Sequence, residues 1–286
     1  MKSVALQFLA ISIVLGCGAD AVPDRGTALD PAASDSPAGR STHEARSHLP
    51  DQPIVVIDPG HPSETGGGTV QHGVAEVHVA WLVGIRLRDL LRAQGYRVIL
   101  TKSRENERVR NADRAAIANR AGAALMVRLH CDATAGSGFT LYYPNRRGTV
   151  NGVTGPSDTV MRRSRAAADS LHAGMAGVLT GRLRDGGIKG DSETAVGARQ
   201  GALTGSIYSR VPIVTIEMVV LGARSDAEFI ASAEGQALMS RAIAAGVGRF
   251  VPIGPATPRQ DSVARSSGRP PADSSGSRDT TRSARP

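Results

Sequence analysis

Between about positions 52 and 252, apolar residues follow two alternating rhythms. Runs of strand length, "PIVVIDPG", "YRVILTK", "ALMVRLHC", "GFTLYYP" and "PIVTIEMVV", are rich in β-branched and other apolar residues. Between them the apolar positions return every three or four residues, in "AEVHVAWLVGIRLRDLLRAQG", "RNADRAAIANRAG", "SRAAADSLHAGMAGVLTGRL" and "SAEGQALMSRAIAAGVGRF". The first rhythm predicts strands and the second amphipathic helices. Their alternation predicts an α/β fold, a single domain with a mostly parallel, twisted sheet and helices on both faces. A Gly/Asn/Arg-rich stretch from Asn145 to about Asp158 reads as an exposed loop, and the chain shows no internal repeat.

Outside that window the rhythm stops. Residues 18–51 and 253–286 are Ala, Ser, Asp, Pro, Gly, Thr and Arg without periodicity, which predicts a disordered tether and a disordered basic tail around a folded segment, 52–252. At the start, Lys2 precedes "VALQFLAISIVLGC", too short to cross a bilayer permanently but the right length for an export signal over residues 1–17. Its end, Val14-Leu15-Gly16-Cys17, resembles a bacterial lipobox. That resemblance implies lipid on Cys17 and a protein anchored to a membrane surface in the cell envelope, facing the periplasm. Cys131 is then left without a partner, and at the end of an apolar strand it reads as a small buried hydrophobe rather than a nucleophile.

The formal charge is +8, and Lys occurs only at positions 2, 102 and 189, so arginine carries nearly all of the basic character. Nucleic acid is not the expected partner. No recognition-helix or RNP-like pattern is present, and aromatics at 3% leave little to stack bases. Acidic envelope polymers suit the charge equally well. Oligomeric state is not legible.

In parallel α/β sheets, ligands bind beyond the carboxyl ends of the strands. Three apolar strands deliver a polar residue there: "VVIDPGH" at His61, "LMVRLH" at His130 and "IVTIE" at Glu217. Glu76 begins the helix after the first strand, where the loop "PSETGGGTVQHGV" can fold it toward His61. Two imidazoles and a carboxylate are a donor set for catalytic zinc, and a second carboxylate nearby can take the proton of water. Each residue also has an ordinary explanation. A histidine at a strand end is commonly just a satisfied polar group, and a glutamate in the first turn of a helix is favoured by the helix dipole. Glu217 is the hardest to dismiss, because burying an unpaired carboxylate between Ile216 and Met218 costs several kcal/mol. Asp58 is either a partner for an imidazole or the organiser of the Asp-Pro-Gly turn. His78 reads as a helix-surface or packing residue and His72 as a loop residue within reach of a substrate. His43, His48 and His172 carry no expected role.

The runs "IVVIDPGH", "GVAEVHVAWLVGIRLRDLLRAQGYRVILTK" with Glu76, "RAAIAN", "LMVRLHCDA" followed by "GFTLYYP", and "VPIVTIEM" resemble, in order, the zinc-dependent N-acetylmuramoyl-L-alanine amidases. The resemblance spans nearly all of the segment from Pro53 to Phe250. It implies one zinc ion on His61, Glu76 and His130, Glu217 as general base, and peptidoglycan as substrate. The implied reaction cuts the amide between the lactyl group of N-acetylmuramic acid and L-alanine. Three segments depart from the family's pattern: Pro62-Ser63-Glu64 before the glycines 66 to 68, Cys131-Asp132 after the second histidine, and "MVVLGARSD" after the late glutamate. They touch the rim of the site rather than its donor set. They keep open two alternatives, a non-catalytic peptidoglycan-binding lipoprotein and a zinc hydrolase of another cell-wall amide. The insert after Asn145 is the place to look for an inhibitory plug, although its turn-rich start favours a loop.

Overall fold

The computed structural model describes residues 52–253. The expected export signal, Cys17, His43, His48 and the expected tail lie outside the described residues. In chain order the elements are β1 (Ile54–Pro59), β2 (Val70–Gln71), β3 (Val74–Ala75), α1 (Glu76–Ala93), β4 (Arg97–Leu100), α2 (Asn111–Ala121), β5 (Leu125–Asp132), β6 (Phe139–Tyr143), β7 (Gly148–Val150), β8 (Val153–Gly155), α3 (Asp158–Leu179), β9 (Asp185–Gly190), α4 (Ala195–Gln200), α5 (Thr204–Tyr208), β10 (Ile213–Val220), α6 (Arg224–Ala231) and α7 (Ala233–Phe250). Six strands form one sheet in the order β4-β1-β5-β10-β6-β9. β4, β1, β5 and β10 run parallel, β6 is antiparallel to β10, and β9 is parallel to β6. The expected α/β fold with a mostly parallel sheet is what the chain forms. No helix among the described residues is long and apolar enough to cross a membrane.

Two segments differ from the pattern-based expectation. The stretch after Asn145 is a hairpin, β7 on β8, rather than a loop. It turns through Asn151 and Gly152, both at positive φ (49° and 75°), the conformation a two-residue hairpin needs and Asn-Gly supplies. The glycine-rich segment behind α3 is β9, held at the sheet edge by pairing with β6 despite its weak strand propensity. α3 also starts earlier than its apolar period suggests, at Asp158, where the Ser157 hydroxyl accepts from Val160 N.

The sheet has two unlike faces. Along β5, Leu125, Val127, Leu129 and Cys131 point to one side, and the side chains of Val55 and Ile57 on β1 and Val214, Ile216 and Met218 on β10 join them. Against these pack α1, α3 and α7, whose Leu87, Leu91, Leu171 and Met175 are fully buried. Each such side chain contributes about 1.5–3 kcal/mol of burial free energy. On the other side the same strands present a gradient. Val56, Met126 and Ile213 are apolar and covered by Ala118 of α2. The next row is Asp58, Arg128 and Thr215, and the last is His130 beside Glu217. Cys131 is buried, as expected, and burial pushes its thiol well above the ordinary range, which makes it inert.

Candidate metal centre

β1 stops at Pro59, and the chain then places His61 at φ 50°, the left-handed region, with a cis bond to Pro62. A residue with a Cβ pays roughly 1–3 kcal/mol there unless its surroundings hold it. They do. Arg114 donates to Pro59 O at 2.8 Å and to Pro62 O at 2.9 Å, and Lys102 donates to His61 O at 2.5 Å. Burial and Arg114 bring the Lys102 pKa down to about 8.

Beneath this loop Asp58, fully buried, accepts from Thr101 (2.5 Å), Arg114 (2.6 Å) and Arg128 (2.8 Å). Burial opposes its charge, but the two guanidiniums outweigh that and hold its carboxyl well below the usual range. Asp58 is therefore neither an imidazole's partner nor only a turn organiser. It anchors Arg114, which braces the His61 loop, and Arg128, which bonds Asn111 at the start of α2.

The three expected ligands meet above. His61 Nδ1 lies 3.1 Å from Gly66 O, and a carbonyl only accepts, so Nδ1 carries the hydrogen and Nε2 turns a lone pair to Glu76 Oε1 at 3.4 Å. His130 Nδ1 sits 3.0 Å from the same oxygen. Glu76 reaches down from the start of α1, its Oε1 also accepting from Cys131 N and its Oε2 from Thr69 N. The His130 ring lies flat over Gly60, where a Cβ would come within 2.5 Å of it, so that position admits glycine alone.

Burial works against the charge of Glu76, yet the two imidazoles hold its carboxyl far below the ordinary value. Burial likewise opposes charge on His61, but Glu76 overcomes it and raises the pKa; at His130 burial prevails and the pKa falls.

The donor set passes a test for a metal. One ligand atom from each of His61, Glu76 and His130 falls within 4.8 Å of the others. His61 Nε2 facing a carboxylate oxygen calls for a cation between them, a proton or a metal ion. Glu76 Oε1 lies 3.4 Å from one imidazole nitrogen and 3.0 Å from the other, close enough for one ion to be shared among the three side chains. Glu217 is the register partner of His130 on β10, and its Oε2 is buried with no hydrogen-bond partner among the described residues. Burial pushes its pKa well up, with Glu76 and Asp132 adding and Arg128 opposing. His61, His130 and Glu217 border one cavity of about 190 Å³. A larger groove, about 450 Å³, between α2 and the β7-β8 hairpin holds no carboxylate and no histidine, so the chemistry belongs to the smaller space.

The family model described as N-acetylmuramoyl-L-alanine amidase, Amidase_3, matches residues 55–249. The chain belongs to this family. It is 27% identical over 221 residues to the N-acetylmuramoyl-L-alanine amidase Rv3717 of Mycobacterium tuberculosis, covering 69% of this chain and 86% of that protein. The amidase Ami1 of Mycobacterium smegmatis shares the fold, with a TM-score of 0.57, 23% identity and coverage of 69% of this chain and 96% of the other. The apo form of Ami1 from Mycobacterium abscessus aligns with a TM-score of 0.53 at 26% identity, over 69% of this chain and 98% of that one.

Within this amidase domain the departures from the family pattern have structural work. Glu64 accepts from Asn111 N (2.9 Å) and Asn111 Nδ2 (3.1 Å) at the start of α2. Asp132 closes the turn at Thr134, and Asp226, ending "MVVLGARSD", accepts from Gly138 N and Val220 N. His72 is in an exposed loop, as read, bonds Gly222 O and does not border the cavity. His78 lies on the surface beside Glu105, as read, and His172 pairs with Asp185. The β7-β8 hairpin packs on α5 through Gly155 and stays out of the amidase cavity, so it is no plug. Sequence reading missed Arg114, Arg128, Lys102 and Thr215. Arg128 had a signal: it interrupts an apolar strand just as Glu217 does.

Proposed function

We propose that this chain hydrolyses the amide between the lactyl group of N-acetylmuramic acid and L-alanine in peptidoglycan, with one zinc ion held by His61, Glu76 and His130 and with Glu217 as general base. The observation that carries this reading is the convergence of three ligand atoms beside a buried carboxylate oxygen that has no partner. Membership of the amidase family supplies the bond to be cut.

Bound there, zinc supplies Lewis acidity that polarises the amide carbonyl and acidifies water. The chain's own residues do the rest. The Gly66 carbonyl fixes the tautomer of His61, so Nε2 is free to coordinate. Glu217 Oε2 accepts the proton of the attacking water, whose oxygen forms the new bond to the carbonyl carbon. When the carbon-nitrogen bond breaks, Glu217 passes that proton to the leaving amine of L-alanine. Burial raises the affinity of Glu217 for a proton, which favours its part as acceptor. The apolar segment ending at Cys17 supports an exported protein tethered by lipid, which mass analysis of the mature N-terminus checks.

The test is mass spectrometry of peptidoglycan digested with the full chain and, in parallel, with Glu217→Gln. Stem peptides beginning with L-alanine appear with the wild type alone, and metal analysis finds one zinc in each protein. Zinc bound without any released stem would overturn the reading in favour of another amide or a silent binder.

A further inference from the structure

Arg128 stands among apolar neighbours on β5, and its guanidinium forms part of the cavity that opens beside His61, His130 and Glu217. It precedes His130 by two residues on the same face, which at about 3.3 Å per residue sets it about 7 Å deeper. The two arginines that share Asp58 are used differently. Arg114 commits its remaining donors to the carbonyls of Pro59, Pro62 and Val109. Arg128 gives Nε to Asp58 Oδ2 at 2.8 Å and Nη2 to Asn111 Oδ1 at 2.6 Å, while its Nη1 donates to no atom of the described residues. Asp58 is shared between two cations, and of the other acidic groups within electrostatic reach of Arg128, Glu64 is bonded to Asn111 and Glu217 borders the same cavity. Asp191 lies within electrostatic reach, but its burial raises its pKa and its Oδ1 makes no hydrogen bond.

Two further features point to a ligand. Thr215, the register partner of Arg128 on β10, borders the same cavity, is 3% exposed, and has a hydroxyl without a partner. Gly205 on α5 makes room for the guanidinium, since a Cβ there would come 2.9 Å from Arg128 Nη1. An arginine with unused hydrogens and a buried hydroxyl, side by side in a cavity, are an incomplete set that an acceptor would complete.

We infer that Arg128 and Thr215 form a subsite for a carboxylate on the peptide side of the cut amide, one residue beyond L-alanine. This deepens the amide hydrolysis proposed above and rests on it. The depth matches: in an extended chain at about 3.3–3.6 Å per residue, an α-carboxylate on the second stem residue lies about 7 Å from the scissile carbon. A carboxylate accepts from both Nη1 and the threonine hydroxyl. A carboxamide at that place offers one accepting oxygen instead of two and brings no charge.

The experiment compares two disaccharide tetrapeptides that differ only in a carboxylate or a carboxamide on the second stem residue. With the full wild-type chain, kcat/KM for the carboxylate form exceeds that for the carboxamide form on the order of ten- to a hundredfold, as hydrogen bonds to a charged group allow. Arg128→Gln collapses this ratio toward one. Thr215→Val, which removes a hydroxyl with no partner in the fold, narrows it while the protein stays folded. Calorimetry with the two released tetrapeptides shows the same preference in binding. Equal rates for the two substrates in the wild type would overturn the subsite and leave the amidase reading standing. A preference that survives Arg128→Gln would also overturn it. Cleavage of neither substrate would bring down the amidase reading itself.

Discussion

The two faces of the central sheet are built from the same strands and differ in what they are for. On the face covered by α1, α3 and α7, each strand residue meets another hydrocarbon, and the only ionisable groups among the cluster's buried residues are the inert Cys131 thiol and the Tyr96 phenol. The opposite face begins apolar at Val56, Met126 and Ile213, becomes ionic at Asp58 and Arg128, and ends in His130 and Glu217 with atoms left unpaired. The first face stores stability. The second draws on it, because desolvated charges and an unpartnered carboxylate each cost free energy that only a stable partner layer can offset. Alternation of side chains along a strand is what allows one stretch of six or eight residues to serve both ends.

That contrast can be broken at several points. The largest effect is expected at Glu217→Gln, where hydrolysis falls about 10²–10⁴-fold while thermal stability is kept or raised, read by stem release and by calorimetry. A variant that loses both would erase the distinction between the faces. Next, Asp58→Asn leaves two buried guanidiniums without their shared charge and costs about 3–5 kcal/mol in urea unfolding, with hydrolysis lost as well because the His61 loop is no longer braced. Leu171→Ala on the apolar face costs about 2–5 kcal/mol, yet kcat/KM stays at the wild-type value wherever the variant remains folded.

The smallest effect is electrostatic. In metal-free protein the raised pKa of Glu217 means that the native state binds more protons than the unfolded one. Its contribution to stability therefore declines as pH rises above the ordinary carboxylate value of 4.5. Glu217→Gln should accordingly be the more stable form at neutral pH, by at least about 1 kcal/mol, and lose that advantage in acid. Unfolding midpoints for both proteins across pH 4 to 8 check the sign.

Much of this was legible in the chain. Periodicity located β1, β4, β5, β6 and β10 and the four long helices, and polar residues at the ends of apolar strands named His61, His130 and Glu217. Glu76 was harder, because a glutamate in the first turn of a helix needs no ligand role. What stayed hidden was non-local. Asp58, Arg114 and Arg128 lie 56 and 70 residues apart along the chain, and no local pattern announces that one carboxylate serves two arginines. β9 was missed because its glycines carry no strand propensity and its pairing with β6 decides. The β7-β8 hairpin was missed for a different reason: Asn151-Gly152 is a strong hairpin signal that composition alone blurred into a loop.

The bracing of the His61 loop also sets a clock. Its parts come from β1, the residues just after β4, α2 and β5, so the histidine cannot take its place until all four have joined, whereas α1 or α3 can begin to form alone. A refolding chain should regain its helical signal first and its ability to cut the cell wall last, and a half-folded chain is a harmless one.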